Sequence, residues 1–180
     1  MPYLDSWSIA VIAISASLWA VLNWLISPIF WQLTQLPILC DMIGTSLLIL
    51  TLWWTRKPGT ASLMGIIATI LNFVLRPDAI HFLGFTVASI VFDLIAVLIG
   101  YKNSLDRGRI SSAILIGISL ISTTVAGFII GIFFMATVFL LNVYGGVAVF
   151  AAIHGAGGII GGVLGVVIVR GLERRRIITR

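Results

Sequence analysis

Long, uninterrupted apolar runs, separated by short polar or proline-containing segments, occupy most of this 180-residue chain. Transmembrane strands would alternate over about ten residues, whereas these runs are continuous and have the length of helices. At about 1.5 Å per residue, most of them are long enough to cross a hydrocarbon core of about 30 Å. The pattern therefore predicts an all-α fold, a single domain over 1–180 with six transmembrane helices at about 6–26, 36–54, 60–75, 79–101, 110–138 and 147–169.

The first and the fifth apolar runs differ from the others. The first run lacks a basic segment and a cleavage site, so we expect a retained helix rather than a signal peptide. The apolar stretch over 110–141 would be about 48 Å long as one helix, which exceeds the membrane core. Three outcomes are open for its far end: it tilts, it breaks near Gly127 or Gly131, or it folds into an apolar loop.

Composition agrees with a membrane location. Hydrophobic residues make up 60% of the chain and charged residues 9%, whereas soluble domains carry about 25% charged residues. Soluble and disordered classes are therefore excluded, and we expect a multi-pass protein of the plasma membrane. The single cysteine, Cys40, cannot form an internal disulfide, and no zinc or haem motif is present, so we expect neither a metal nor a cofactor.

The net charge of +5 could indicate nucleic acid, but the positions of the basic residues favour another explanation. In a six-helix topology, ten of the eleven lie on one side, and only Arg76 lies opposite. By the positive-inside rule, that side and both termini are cytoplasmic. Contact with anionic lipid is then expected, and nucleic acid is not. The ten are Arg56, Lys57, Lys102, Arg107, Arg109, Arg170, Arg174, Arg175, Arg176 and Arg180.

Polar residues within apolar runs are costly and therefore informative, because a charge at the bilayer centre costs about 2.5–3.5 kcal/mol or more. The predicted topology places most of them at one depth, towards the outside. This convergence predicts an outward-opening cavity for a small molecule. The candidate substrate-binding residues are Trp31, Asp41, Asn72, Arg76, Asp78, His81, Asn142, Tyr144 and His154.

Structural explanations compete with this one. Arg76 could pair with Asp78 at the interface, and His154 could bond a neighbouring helix. Asp93, at a deeper position, could be a proton or cation site, a bond between helices, or part of a coupling surface. The glycines between 155 and 165 favour close packing of the last helix, either within the chain or against a partner.

Catalysis has little support, because no hydrolase, metalloprotease or paired acidic motif is present. There is also no phosphate-binding loop, so ATP hydrolysis would have to occur in partner subunits. We therefore do not expect an enzyme.

Several segments resemble one transporter family. They are 13–23 (AISASLWAVLN), 28–30 (PIF), 36–37 (LP) and 53–59 (WWTRKPG), together with a six-helix plan and small residues along the first helix. In these segments and in its helix plan, the chain is similar to prokaryotic S components. S components are the substrate-binding membrane subunits of energy-coupling factor (ECF) transporters, which are ABC transporters. Two of the segments, 18–23 (LWAVLN) and 56–59 (RKPG), are similar to members assigned to thiamine or its hydroxymethylpyrimidine precursor. Nickel and cobalt members begin Met-His, whereas this chain begins Met1-Pro2, so a metal substrate is not expected.

The resemblance implies capture of a vitamin or precursor in the outer half of the bundle. It also implies docking on a transmembrane T component and two ATPase subunits, and toppling within the membrane to release the ligand. Small residues on the first helix, in an Ala-x-x-x-Ala pattern, contact the T component in that family, which implies a docking role here for Ala13, Ala16, Ser17 and Ala20. Ala16 and Ala20 match the pattern, and Ala13 and Ser17 approximate it, so the face that docks is open.

The substrate itself stays open. A cationic thiamine could use tryptophan faces and the charge of Asp41 or Asp78, an anionic vitamin would use Arg76, and a neutral one would need neither. Two other functions are also open: a stand-alone channel or secondary transporter, and a structural membrane subunit without a ligand.

Overall fold

The computed structural model describes residues 3–106 and 108–175. Within these residues every regular element is a helix. The elements are α1 (Ser6–Leu25), α2 (Ser27–Thr34), α3 (Ile38–Thr55), α4 (Thr60–Leu75), a 3-10 turn (Ile80–Phe82) that leads into α5 (Leu83–Ile99), α6 (Tyr101–Leu105), α7 (Arg109–Phe133), α8 (Thr137–Tyr144) and α9 (Val147–Arg174).

The all-α prediction is confirmed for the described residues. Five helices are long and apolar enough to cross a membrane: α1, α3, the 3-10 turn with α5, α7 and α9. The remaining apolar helix, α4, has 16 residues and is shorter. These lengths and compositions are those of a multi-pass membrane protein.

The long apolar stretch after residue 109 folds as two helices. α7 continues through Gly127 and Gly131 and ends at Phe133, short of the predicted residue 138. The two glycines are packing positions rather than breaks: a Cβ on Gly127 would lie 2.7 Å from the Cα of Ala151 in α9. After an extended Ala136, the chain forms the short helix α8, which ends in two glycines with positive φ. None of the three expected outcomes describes this region fully, because α7 ends after Gly131 and the apolar segment that follows forms a helix rather than a loop.

The six longer helices form a closed ring. The main contacts join α1 to α4, α4 to α5, α5 to α7, α7 to α9, α9 to α3, and α3 back to α1. Large side chains such as Trp19, Trp53 and Phe92 are fully buried within this ring. The three short helices lie in the connections between the members of the ring.

Two glycine faces allow α9 to lie tightly between its neighbours. Gly157, Gly161 and Gly165 face α3, where a Cβ on Gly161 would lie 2.5 Å from the Met42 carbonyl oxygen. Gly155, Gly158 and Gly162 face α7. The glycines therefore serve packing within the chain, since only a hydrogen atom fits between the backbones at these positions.

Contacts between the connections define two ends of the ring. We call the end that carries most of the basic residues the basic end. There the Tyr3 hydroxyl donates to the Pro58 carbonyl at 2.8 Å, and Arg170 donates to the Asp106 carbonyl at 2.8 Å. Most basic residues predicted to lie together are in the segments that meet here, whereas Arg76 lies at the opposite end, which we call the cavity end. Arg107, Arg176 and Arg180 lie outside the described residues.

Candidate functional site

A cavity of about 320 Å³ lies inside the ring at the cavity end. Helices α1, α2, α3, α5, α7 and α9 contribute to its wall, as do the 3-10 turn and the C-terminal end of α4. Its aromatic lining residues are Trp19, Trp31, Phe82, Phe85 and Phe150. Its polar and charged lining residues are Ser27, Gln32, Cys40, Asp41, Arg76, His81 and His154.

The aromatic wall is built around Trp19 of α1. Its ring stacks on Phe85 of α5, with centroids 4.0 Å apart and planes 9° apart, and meets the edge of Phe82 at 5.5 Å. Gly44 of α3 makes room for this stack, because a Cβ there would lie 2.6 Å from Phe85 Cε2. The Trp19 indole N–H is buried and has no hydrogen-bond partner within the described chain.

A buried acid-base pair joins α3 to α9 at the cavity. Asp41 Oδ2 lies 2.8 Å from His154 Nδ1, and both side chains are nearly inaccessible. Gly157 permits this approach, because a Cβ on it would lie 2.8 Å from the Asp41 Cβ. An imidazole beside a buried carboxyl group gives it a polar neighbour, which reduces the cost of placing it in a membrane. His154 therefore contacts the carboxyl group of a neighbouring helix, and the same side chain also lines the cavity.

Arg76 supplies the other formal charge in the wall. It ends α4 immediately before Pro77, where the helix cannot continue, and it is half-buried. The expected pair with Asp78 is not formed, and within the described residues the guanidinium has neither a salt bridge nor a hydrogen-bond acceptor. Asp78 is exposed and does not line the cavity.

The nine predicted substrate-binding residues divide into two groups. Trp31, Asp41, Arg76, His81 and His154 come together around the cavity. Asn72, Asp78, Asn142 and Tyr144 do not line it. Substrate binding by the first group stays a prediction, and the second group has no contact that would support such a role.

The members of the second group have other surroundings. Asn72 is fully buried in α4, where its Nδ2 donates to the Ala68 carbonyl at 3.1 Å. Asn142 is exposed on α8. The Tyr144 hydroxyl donates to the Gln35 carbonyl, so this residue ties the end of α8 to the α2–α3 connection.

Sequence reasoning missed most of the aromatic wall. Trp19, Phe82, Phe85 and Phe150 stand within apolar runs, where nothing separates a cavity-facing ring from one that faces lipid or a neighbouring helix. Only the helix contacts identify them.

The small residues of α1 lie on two different faces. Ala13 and Ser17 are exposed, whereas Ala16 and Ala20 are 0% and 1% exposed and lie inside the bundle. α1 therefore turns Ala16 and Ala20 towards the neighbouring helices and leaves Ala13 and Ser17 at the surface, and a docking role stays a prediction.

Asp93 lies apart from the cavity. Its Oδ2 accepts the Ser62 backbone N–H at 2.9 Å, and its Oδ1 accepts the Tyr101 hydroxyl. Ser62 belongs to the first turn of α4, where backbone N–H groups lack partners within the helix. Asp93 thus caps a neighbouring helix, which corresponds to the second of its three expected roles.

The site has the chemistry of a binding cavity: aromatic walls with a few converging polar groups. Within the described residues, no cluster of three or more His, Cys, Asp or Glu side chains could hold a metal ion.

Compared with known proteins, the chain matches no family model, no curated protein and no solved structure.

Proposed function

We propose that this chain is the substrate-capture subunit, or S component, of an ECF-type transporter in the plasma membrane. It binds a small vitamin-like molecule or precursor in the cavity and passes it to a T component and two ATPase subunits. The observation that carries the proposal is the cavity itself: an aromatic-lined space with a buried acid-base pair and an unpaired arginine, inside a membrane bundle.

The proposed topology has six crossings with both termini in the cytoplasm. α4 is about 24 Å long at 1.5 Å per residue, so it is short for a core of about 30 Å. Its contacts support a crossing nonetheless, because Ser62 bonds Asp93 towards the basic end and Arg76 reaches the cavity end. With the basic end in the cytoplasm, the cavity faces outwards, as capture of an external substrate requires.

The proposed contact with the T component uses the exposed face of α1. Ala13 and Ser17 lie on this face and leave it shallow enough for the backbone of another helix to approach. Ala16 and Ala20 instead support the close packing of α1 within the ring.

An uptake assay with separate measurement of binding tests this assignment. In cells that also contain the T component and the ATPases, Ala13→Trp should reduce uptake strongly and leave ligand binding by the purified protein unchanged. Ala156→Trp is the matched control, because Ala156 is also an exposed alanine of a long helix but lies on α9. Ala16→Trp should instead destabilise the protein, since this side chain is fully buried.

Three results would contradict the proposal. Equal loss of uptake and binding in folded Ala13→Trp protein would argue against a docking face. Uptake that needs no ATPase, or conductance by the purified chain alone, would indicate a channel or secondary transporter. Unchanged function after replacement of the cavity residues would indicate a structural subunit.

A further inference from the structure

We propose that the cavity takes an aromatic acid: a compact ring system held by the aromatic wall, with its carboxylate on Arg76. This inference rests on the proposed capture function and specifies the chemical class of the ligand.

The charges of the lining residues carry the first step. Asp41 is the only acidic residue in the wall of the described cavity, and it lies 2.8 Å from His154. If His154 is protonated, the pair is neutral and Arg76 leaves the cavity positive; if Asp41 is protonated, the result is the same. If Asp41 is charged and His154 is neutral, the charges of Asp41 and Arg76 cancel. His81 can only add positive charge, so the lining is never net negative.

A cationic ligand therefore finds no free counter-charge in this cavity. Asp41 is already in contact with His154, and the other candidate, Asp78, is exposed and outside the lining. The expectation of a thiamine-like cation loses the carboxylate on which it depended.

The unpartnered guanidinium of Arg76 points in the same direction. It is a donor-only group, and it lacks a hydrogen-bond acceptor within the described residues. Other lining atoms without a hydrogen-bond partner include donors and acceptors alike: Trp19 Nε1, Ser27 Oγ, Asp41 Oδ2 and both ring nitrogens of His154. Among the charged groups of the lining only Arg76 has no oppositely charged neighbour, and a ligand carboxylate would supply the acceptor that it lacks.

The aromatic wall indicates the size and shape of the ligand's ring system. Five aromatic rings line a space of about 320 Å³, which is at the lower end of the range for small-molecule sites. Aromatic walls favour flat rings through stacked and edge contacts. Guanidinium and carboxylate groups match in a planar, two-pronged geometry, so Arg76 would fix the orientation of the ring.

The test compares acids with their amides, which differ little in shape but differ in charge. Purified protein is titrated with nicotinate and nicotinamide, 4-aminobenzoate and 4-aminobenzamide, and indole-3-acetate and indole-3-acetamide, with thiamine as the cation. Calorimetry measures binding, and quenching of tryptophan fluorescence supports the assignment to the cavity. In at least one pair the acid should bind about tenfold or more tightly than its amide, as expected for a charge-assisted hydrogen bond.

Variants of two arginines show which residue causes the preference for the acid over its amide. Arg76→Gln should abolish the difference between acid and amide, and Arg76→Lys should keep part of it because the charge is retained. Arg56→Gln is the matched control: Arg56 also ends a helix, but it is exposed at the basic end, so the preference should persist.

Each outcome is decisive. Tightest binding by thiamine, or equal binding of acids and amides, would overturn the aromatic-acid assignment and leave the capture function standing. An acid preference that survives in folded Arg76→Gln protein would overturn the role of Arg76. Failure of every acid to bind to folded protein would overturn the aromatic-acid assignment, whereas the capture function is tested separately by the uptake assay.

Discussion

Replacing Gly161 by alanine would place a methyl group against the backbone of α3. The new Cβ would overlap Thr45 Oγ1, and it would lie 2.5 Å from the Met42 carbonyl oxygen and 2.7 Å from the Met42 Cα. Thr45 cannot move aside freely, because its hydroxyl donates to the Asp41 carbonyl at 2.8 Å. Because the neighbouring atoms belong to a helix backbone, α3 and α9 have to separate.

The size of the effect follows from these distances. Carbon atoms pack best at about 3.5–4.0 Å, so the Met42 contact requires a separation of about 1 Å. Overpacking of this kind typically costs about 1–3 kcal/mol. For a protein of this length, a loss of about 2 kcal/mol corresponds to an apparent melting temperature about 4–8 °C lower. The pair Asp41 and His154 would also be disturbed, since it joins the same two helices.

Thermal unfolding in detergent, followed by tryptophan fluorescence and circular dichroism, measures this change. Gly171→Ala is the control, because Gly171 belongs to the same helix but a Cβ there would meet no neighbouring element within 4 Å. That substitution should be neutral, or stabilising by about 0.5–1 kcal/mol. Equal melting temperatures for the two variants would refute the close contact of α3 and α9.

Three further predictions concern hydrogen-bonded side chains. Asp93→Ala removes the acceptor at the start of α4, so it should lower stability by about 1–3 kcal/mol and leave ligand affinity unchanged; altered affinity would point to a coupling role. Bonds from Ser8 hold the pKa of Asp5 below its ordinary value of 3.8, so their contribution to stability should be complete above about pH 4 and lost in stronger acid. A carboxyl-carbon NMR titration with a midpoint at or above the ordinary value would contradict this. Tyr144→Phe removes the bond that ties α8 to the α2–α3 connection. Because α2 forms part of the cavity wall, this change should speed ligand release by roughly two- to tenfold in stopped-flow measurements. Tyr3→Phe, which removes a tyrosine bond at the basic end, should not change the release rate.

The long helices could be predicted because hydropathy dominates their sequence. The short ones could not: α2, α6 and α8 have eight residues or fewer and have no separate periodic signal. α2 is marked only by Pro28 near its start, and α8 continues the apolar composition of α7. Their helical form depends on the turns that precede and follow them.

The polar half of the site was predictable for a similar reason. Asp41, Arg76, His81 and His154 stand out because polar residues are rare in apolar runs. Which of them share one cavity depends on the facing of each helix, and the sequence does not contain that information. The same ambiguity explains α1, where Ala13 and Ala16 are equivalent in type yet lie on the surface and in the interior, respectively.

Capture of a small molecule by the cavity can be measured by native mass spectrometry of the protein purified in detergent, followed by denaturation and identification of any released compound. We expect one small molecule for each chain, an aromatic acid, whose occupancy falls in Arg76→Gln protein. A chain that is empty as purified and stays empty with every vitamin and aromatic acid offered would contradict it.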